Sequence, residues 1–463
     1  MKGNSREGMA MGTELDKVRR FHFVGMGGAG MSAIAQVLLQ SNYDVSGSDV
    51  LESPTLQHIR SLGGRVFVGH RSSNIGSAEA VVFSSAVSTG NPELEAARRR
   101  NLLVLHRADM LAHLMRSKES ISIAGTHGKT TTTAMIAALL LEGGLDPTVL
   151  VGAQVKQLGG NARVGRSPYL VAEADESDGT FLKLSPRYVV VTNIDTDHLD
   201  YYGDLAHIQE AFLEHIFRVP RQGSVIACWD DSNLRQILKK VHRPVITYGS
   251  EPGASVSAQD VVGSARGSAY SCLHQGQSLG RIQLGVPGRH NVVNSLAAVA
   301  VGLLLGIPFS ACQRGLNAFS GVERRLERKG EKSSVWVLDD YGHHPSEIQA
   351  TLQACAGMGK RLLVVFQPHR FSRTHHLMAD LAKCFVDADR LFVTDIYAAG
   401  EEPIPGVSSR HLVEEISRYR QVTYAADSQK LVEELKRATR PGDLLLTLGA
   451  GDVWQIGEAY LED

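Results

Sequence analysis

At 463 residues the chain is too long for one ordinary domain, and three domains is the natural expectation. Hydrophobic residues make up 43% and charged residues 21%, an ordinary globular composition, and the 48 Lys and Arg against 49 Asp and Glu exclude the basic excess of a nucleic-acid binder. Five scattered cysteines (Cys228, Cys272, Cys312, Cys355 and Cys384) form no CxxC, which points to reduced thiols in a cytosol and away from a disulfide framework or a cysteine zinc site.

In chain order, Met1 to Leu15 mix Gly, Ser, Lys, Arg and Glu with no apolar core, and read as a flexible tail, not a signal peptide. A first apolar strand, Phe21 to Val24, runs into Gly25-Met26-Gly27-Gly28-Ala29-Gly30, and Asp49 follows about twenty residues on, at the end of a second strand. This is the dinucleotide fingerprint, whose physics is close backbone approach to a pyrophosphate. A nucleotide-sugar carries a pyrophosphate too, so the motif does not choose between them, and a Gly-rich turn without a ligand is the third reading. The first α/β unit should end near the helical Ala108 to Arg116.

A second strand-turn-helix follows: Ile121 to Ala124, then Gly125-Thr126-His127-Gly128-Lys129-Thr130, then a helical pattern from Thr131 to Leu141 ended by Gly143-Gly144. Gly125 and Gly128 let backbone N–H groups close on phosphate oxygens, Lys129 reaches outer phosphates, and the Thr130 hydroxyl suits Mg²⁺. The general phosphate-loop pattern wants Gly where Ile123 stands, so this is a shortened variant; a plain strand-to-helix turn with a surface lysine is the alternative.

Two further strands end in acids. Tyr169 to Ala172 leads into Glu173-Ala174-Asp175-Glu176-Ser177-Asp178, and Tyr188 to Thr192 into Asn193-Ile194-Asp195-Thr196-Asp197-His198. Acids crowded at a strand end repel unless a cation neutralises them, and beside a phosphate loop that suits Mg²⁺-assisted phosphoryl transfer; singly, each acid is more often a solvated cap than a ligand. The Gly- and Ser-rich stretch Gly249 to Gly280 reads as irregular strands decorating the middle domain. Asn291 and Asn294, three apart at the start of a helix, can aim both amides at one ligand, although Asn291 alone would also serve as a cap. The most apolar stretch, Ser295 to Phe309, is too short to span a bilayer and is broken by Gly302, Gly306 and Pro308. The charged run Val322 to Lys329 reads as a hinge. Beyond it, strands are expected at Val335–Leu338, Arg361–Phe366, Arg390–Thr394 and Leu444–Leu448, the last opening a third Gly-rich turn, Gly449-Ala450-Gly451-Asp452.

Taken together, Gly25 to Met31, Gly125 to Thr130, Glu173 to Gly179, Thr192 to Asp200, Gly288 to Asn291 with Asn294, Gly321 to Arg325, Asp339 to Pro345, Phe366 to Arg370 and Leu448 to Asp452 occur in one order. Along nearly its whole length the chain thereby resembles the Mur ligases. The pairing of Glu-Ser-Asp-Gly with Asp-Tyr-Gly-His-His-Pro is similar to the alanine-adding branch of that family. The resemblance implies an α/β chain of three domains: a Rossmann-like UDP-sugar domain over residues 1–116, a central P-loop ATPase-type domain over 117–322, and a Rossmann-like amino-acid domain over 323–463. It implies ATP-dependent ligation of L-alanine to the lactyl carboxylate of UDP-N-acetylmuramate through an acyl phosphate, in cytoplasmic peptidoglycan synthesis. ATP and Mg²⁺ are the cofactors, no nucleic acid or membrane is a partner, and a homodimer is left open.

The resemblance also implies roles. Gly25, Gly27, Gly28 and Gly30 would lie against the sugar-nucleotide diphosphate, with Asp49, His70, Ser84 and Arg107 as uridine or phosphate contacts. ATP would lie on Gly125, Thr126, His127, Gly128, Lys129, Thr130 and Thr131, with Asn291 and Asn294 facing adenine, and Arg325 and Asp340 reaching the nucleotide. Thr130, Glu173 and His198 would hold Mg²⁺. Tyr341, His343, His369 and Arg370 would build the alanine pocket, where a guanidinium suits a carboxylate; the alternative is ordinary loop histidines. Lys129, His198, Arg325 and His343 are the catalytic set, with His198 and His343 both candidates for the base. Several sister enzymes carry a carbamylated lysine after the second acidic strand end; Ile208 to His215 has no lysine, as in the alanine-adding branch. A nicotinamide dehydrogenase, a nucleotide-sugar sensor and a ligase that recycles preformed peptide are the competing readings.

Overall fold

The structure, a computed structural model, describes residues 14–462, so the tail expected over Met1 to Leu15 lies, up to residue 13, outside the described residues. The chain forms two compact units. The first runs to Val256 and takes in Ala297–Gly315; the second comprises Ser257–Leu296 and the chain from Leu316 onward.

The first unit opens with five parallel strands, β1 (Arg20–Val24), β2 (Asp44–Asp49), β3 (Arg65–Val68), β4 (Ala80–Phe83) and β5 (Leu103–His106), in the order β3-β2-β1-β4-β5. Phe21, Phe23 and Val24 of β1 are buried on both faces, as the centre of a parallel sheet requires. Its second sheet contains β6 (Glu119–Ala124), β7 (Thr148–Val155), β8 (Gly160–Arg163), β9 (Tyr169–Glu173), β10 (Tyr188–Val191), β11 (Ser224–Cys228) and β12 (Val245–Gly249), in the order β12-β11-β10-β6-β9-β7-β8. All of these pair in parallel except β8, which runs against β7. The helix Lys129–Glu142 between β6 and β7 carries Ala134, Met135, Ile136, Ala137, Leu139 and Leu140, all buried, so it is a core helix without a wet face.

The two sheets of this unit are joined by a buried polar clasp. The Asn161 amide donates to the Ala29 carbonyl (2.8 Å) and to Ser32 Oγ (2.9 Å), while its oxygen accepts from Gln36 Nε2 (2.7 Å). Ala29, Ser32 and Gln36 lie on the helix Ala29–Gln40 that follows the first Gly-rich turn, and Asn161 lies on β8.

The second unit contains the antiparallel pair β14 (Gly267–His274) and β15 (Gln277–Leu284), preceded by β13 (Val256–Ser264), and a sheet of β16 (Glu327–Lys332), β17 (Val335–Asp340), β18 (Leu362–Phe366), β19 (Arg390–Val393), β20 (Thr423–Tyr424) and β21 (Leu444–Leu448). The sheet order is β16-β17-β21-β18-β19-β20, parallel except at β16. Along β18, Leu362, Val364 and Phe366 pack into one buried cluster and Leu363 and Val365 into another, so helices cover both faces. The fold class is therefore the expected one, α/β with Rossmann-like parallel sheets in three domains.

Two local expectations change. The run from Glu327 to Lys329, read as hinge, belongs to β16, an antiparallel edge strand whose charges suit an edge. The segment read as irregular strands after Gly249 forms regular β13 and β14, the latter paired with β15 through a turn at Gln275-Gly276. Among the described residues no helix is long and apolar enough to cross a membrane.

Asn161→Ala should destabilise the first unit by about 1–3 kcal/mol in urea unfolding, because it leaves a buried carbonyl and a buried amide unpaired. A change within about 0.5 kcal/mol, the range of an ordinary surface substitution, would show that the clasp contributes nothing.

Candidate functional site

In the first unit, the carboxyl ends of β3, β2, β1 and β4 surround a cavity of about 680 Å³. Gly25, Gly27, Gly28, Asp49, His70 and Ser84 line it, as do Ser53, Ser88 and Asn91. The Asp49 carboxylate is engaged with the backbone: one oxygen accepts from Gly27 N at 2.7 Å and the other from Val50 N at 2.7 Å. A side chain at Gly27 would meet that carboxylate at 2.8 Å, so glycine is required for the approach. Asp49 thus shapes the turn after β1 while also lining the cavity. Gly30 and Arg107 stand together, since a Cβ on Gly30 would lie 2.9 Å from the Arg107 guanidinium. That guanidinium also pairs with Asp175 of the acidic strand end, at 3.0 Å.

The phosphate loop follows β6, which lies between β9 and β10 with both partners parallel. Its turn is therefore flanked by the two acid-rich strand ends. Gly125 (φ +136°) leaves no room for a Cβ beside Thr192 and the Asn193 amide, and Gly128 (φ +81°) starts the helix in the left-handed region. Asn193 grips the loop from β10: its side-chain oxygen accepts from His127 N (2.8 Å) and its amide donates to His127 O (3.0 Å). Thr126 Oγ1 accepts from Asp195 N (2.9 Å), and His127 Nε2 lies 3.0 Å from the Asp195 carboxylate.

Lys129 Nζ donates to Gly125 O (2.6 Å), Thr126 O (3.1 Å) and Glu176 Oε1 (2.7 Å). Burial disfavours its charge, but Glu176, Asp175 and Glu173 outweigh that and hold its pKa above the usual lysine value. Burial pushes the Glu176 carboxyl up to about 7 against the pull of Lys129, with Asp175 adding to the rise. The second Glu176 oxygen is buried without a hydrogen-bond partner. Thr130 Oγ1 donates to Glu173 Oε2 at 3.2 Å, and Thr131 follows it, buried, in the first turn of the helix. His198 Nε2 lies 3.9 Å from Glu176 and 3.7 Å from Asp197, on a residue with φ +56°. A non-glycine residue in that region is costly, and such strain collects where a side chain must be aimed. An orphaned buried carboxylate oxygen among acids, a hydroxyl and a histidine is a donor set that fits a hard divalent cation.

In the second unit, Asn291 and Asn294 lie in the first two turns of the helix Arg289–Leu304. Asn291 is no cap: its amide bonds back to Pro287 O (2.7 Å) and its oxygen faces the Asn294 amide at 3.5 Å. Asp340 ends β17, and its oxygens accept from Leu326 N (2.7 Å), Gly342 N (2.8 Å) and Thr351 Oγ1 (3.2 Å). Burial, opposed by Arg325, pushes its carboxyl up to about 6. The rings and guanidinia around it are ordered by stacking: the guanidinium carbons of Arg324 and Arg325 lie 5.0 and 5.1 Å from the Tyr341 ring centre. Arg325 also approaches Glu347 (3.8 Å), which accepts from His343 N (3.1 Å).

His343 Nδ1 donates to Tyr341 O (3.0 Å), and its ring centre lies 5.8 Å from that of His369. His369 stacks on Tyr397 at 5.6 Å and 8°. Burial, with His343 and the nearby arginines, drives the His369 pKa down to about 3, so its ring is neutral at pH 7. Arg373 Nη1 meets its Nδ1 at 3.1 Å; a guanidinium only donates, so Nδ1 accepts and Nε2 carries the proton. Arg370 (φ +69°) lies 4.0 Å from Glu401. The motifs placed Glu176 only as one of the acids crowded at its strand end, and gave Asn193, Arg324, Glu347, Arg373 and Tyr397 no role of their own. For Glu347 there was a local signal, a glutamate three residues after the helix-capping His344.

Comparison with known proteins fits this architecture. Residues 20–119 match the Mur ligase family catalytic domain, 123–302 the Mur ligase middle domain, and 324–451 the Mur ligase glutamate ligase domain. A UDP-N-acetylmuramate–L-alanine ligase of Geobacter sp. (strain M21) is 51% identical over 96% of this chain and 97% of its own. The enzyme of the same name from Geobacter sulfurreducens is 49% identical, over 96% and 97%. The crystal structure of a UDP-N-acetylmuramate-alanine ligase from Thermotoga maritima, 29% identical, superposes over 96% of this chain and 98% of that one with a TM-score of 0.82. The chain belongs to the Mur ligase family.

Asp340→Ala should lower the stability of the second unit by about 3 kcal/mol, because three donors that it satisfies inside the protein lose their acceptor. Unchanged stability with weakened nucleotide binding would instead make Asp340 a ligand contact and not a structural tie.

Proposed function

We propose that this Mur ligase joins L-alanine to the lactyl carboxylate of UDP-N-acetylmuramate at the expense of ATP, in the cytoplasmic stage of peptidoglycan synthesis. The observation that carries the reading is the meeting of the phosphate loop with two acidic strand ends: Lys129 on Glu176, Thr130 on Glu173, and His198 beside them, in a chain about half identical to enzymes of that name.

A carboxylate does not react with an amine in neutral water, because its carbonyl carbon is electron-rich and oxide is a poor leaving group. Transfer of the γ-phosphoryl group from ATP to a carboxylate oxygen gives an acyl phosphate, and attack by the alanine amine then expels phosphate. The Gly125–Thr131 backbone cradles the nucleotide phosphates, and Lys129 leaves Glu176 to bind the transferring group. Thr130, Glu173 and His198 are the residues that would hold Mg²⁺, which when bound neutralises charge on the phosphates. Asn291, Asn294 and Arg325 serve the nucleotide, while Asp340 acts by fixing Leu326 and Gly342.

The cavity lined by Gly25, Gly27, Gly28, His70 and Ser84 takes UDP-N-acetylmuramate, with Arg107 behind Gly30. Tyr341, His343, His369 and Arg370 receive alanine: a neutral, Nε2-protonated His369 donates to the carboxylate and Arg370 balances its charge. Of the two base candidates, His343 spends its Nδ1 proton on Tyr341 O, so its neutral ring would accept at Nε2. The domain limits at 116 and 322 follow the same assignment.

ADP release should require UDP-N-acetylmuramate and L-alanine together, and Lys129→Ala should lower it by roughly 10²-fold or more, the usual cost of removing one preorganised charge from a reacting phosphate. UDP-N-acetylmuramate affinity should stay within a few-fold in the same variant. Near-normal turnover without Lys129 would sink the ATP assignment.

A further inference from the structure

The third glycine turn, Gly449-Ala450-Gly451-Asp452 after β21, is a motif to which ligation as proposed gives no task. Its amides do not open toward a ligand at either end: Gly449 N donates to Asp340 O (3.0 Å), and Val453 N to Gln367 Oε1 (3.2 Å). The turn offers carbonyl oxygens instead. Gly449 O accepts from Arg324 Nη2 (2.7 Å), and Ala450 O lies 3.5 Å from Nη1. Acceptors suit a guanidinium and repel a phosphate. Its glycines serve close packing. A Cβ on Gly449 would lie 2.6 Å from Gln367 O, and one on Gly451 would lie 2.6 Å from the Tyr397 ring.

Two lines of contact leave this turn and meet. On one side Arg324, also tied to Asp339 Oδ2 at 3.0 Å, stacks on Tyr341, and Tyr341 meets the His343 ring edge-on at 5.6 Å and 85°. On the other side the Tyr397 ring covers Gly451 and lies parallel to His369. The contact between His343 and His369 closes the circuit. Tyr397 is pinned through its backbone as well: its N donates to Pro368 O and its O accepts from Arg370 N, both at 2.8 Å. The χ2 torsion of a histidine is broad, so its own geometry does not set the plane of the ring and a neighbour must. At His369 the offset stack on Tyr397 sets the plane, and the contact of Arg373 with Nδ1 sets the rotation within it.

We propose that Tyr397, resting on Gly451, is a positioning residue for alanine binding: it holds the plane in which His369 offers its Nε2 proton to the alanine carboxylate. The third glycine turn is then the anchor of the amino-acid pocket, joined to Tyr341 through Arg324 and to His369 through Tyr397. The proposal rests on the reading of Tyr341, His343, His369 and Arg370 as the alanine pocket and adds what aims it. A hydrogen bond weakens steeply as its donor angle falls away from linearity, so a His369 ring free to turn would hold the carboxylate poorly even with every contacting atom still present.

Steady-state kinetics of the full chain, with each of the three substrates varied in turn, test this. Tyr397→Leu should raise the KM for L-alanine roughly tenfold, the scale of a lost aromatic pair. The KM values for ATP and UDP-N-acetylmuramate should each move less than about twofold, since distant sites respond independently. Tyr397→Phe keeps the ring and drops the hydroxyl, and should return the alanine KM to within about twofold of native. Gly451→Ala leaves every ring in place but pushes on Tyr397, and should raise the alanine KM with the same selectivity; it decides the matter if Tyr397→Leu does not fold. An unmoved alanine KM, a fall in kcat alone, an equal rise for all three substrates, or no rescue by phenylalanine overturns the proposal. His369→Ala with native kinetics toward alanine overturns the reading of the pocket, and this proposal with it.

Discussion

Parallel pairing of β10, β6 and β9 is the constraint on which the rest of the structure depends. Parallel neighbours finish at the same edge of a sheet, so whatever follows them is gathered there whatever its separation in sequence. The helix that follows the loop after β6 opens with Lys129; Glu173 ends β9, and the segments after β9 and β10 carry Glu176, Asn193 and His198. The same geometry recurs in the other sheets. The turn after β1, the end of β2 and the turns after β3 and β4 supply Gly27, Asp49, His70 and Ser84, and segments after β17, β18 and β19 supply Tyr341, His369 and Tyr397. Each sheet therefore gathers polar and charged side chains at its carboxyl edge, from strand ends, turns and the helices that follow.

Electrostatics then explains why the central edge is poised for phosphate. Glu173, Asp175 and Glu176 crowd one lysine, and burial, with the Asp175 charge adding to it against the pull of Lys129, makes Glu176 resist ionisation. Lys129 meanwhile donates to the carbonyls of Gly125 and Thr126, contacts that a phosphate oxygen can replace with gain. Arg107, between Gly30 and Asp175, ties the turn of the first sheet to the acids of the second, so charge at either edge is felt at the other.

What the sequence made legible was whatever is contiguous. Strand, glycine turn and helix are adjacent residues, so the three turns, the acidic strand ends and most strands could be read directly. What it hid depends on strand order and side-chain direction. Asn193 grips His127 because β10 adjoins β6, and Glu93 meets Ser48 from a helix that comes 45 residues later. Asp340 reads as reaching the nucleotide, and its hydrogen bonds to the protein's own amides depend on a fold that the motif does not show. β16 escaped because an edge strand of Glu, Arg, Lys and Gly lacks the apolar alternation by which strands are recognised. Arg373 and Tyr397, which set the tautomer and plane of His369, have no signature of their own.

The central claim is that this site activates a carboxylate with the γ-phosphoryl group of ATP. It is tested most directly by isotope transfer: UDP-N-acetylmuramate labelled with ¹⁸O in its lactyl carboxylate is converted to completion with ATP and L-alanine. The account predicts a labelled oxygen in each released phosphate, with ADP unlabelled, because Lys129 and Thr130 address the outer phosphates. Label in AMP would mean attack at the α-phosphorus, and phosphate without label would mean that the carboxylate is never phosphorylated, either of which contradicts the account.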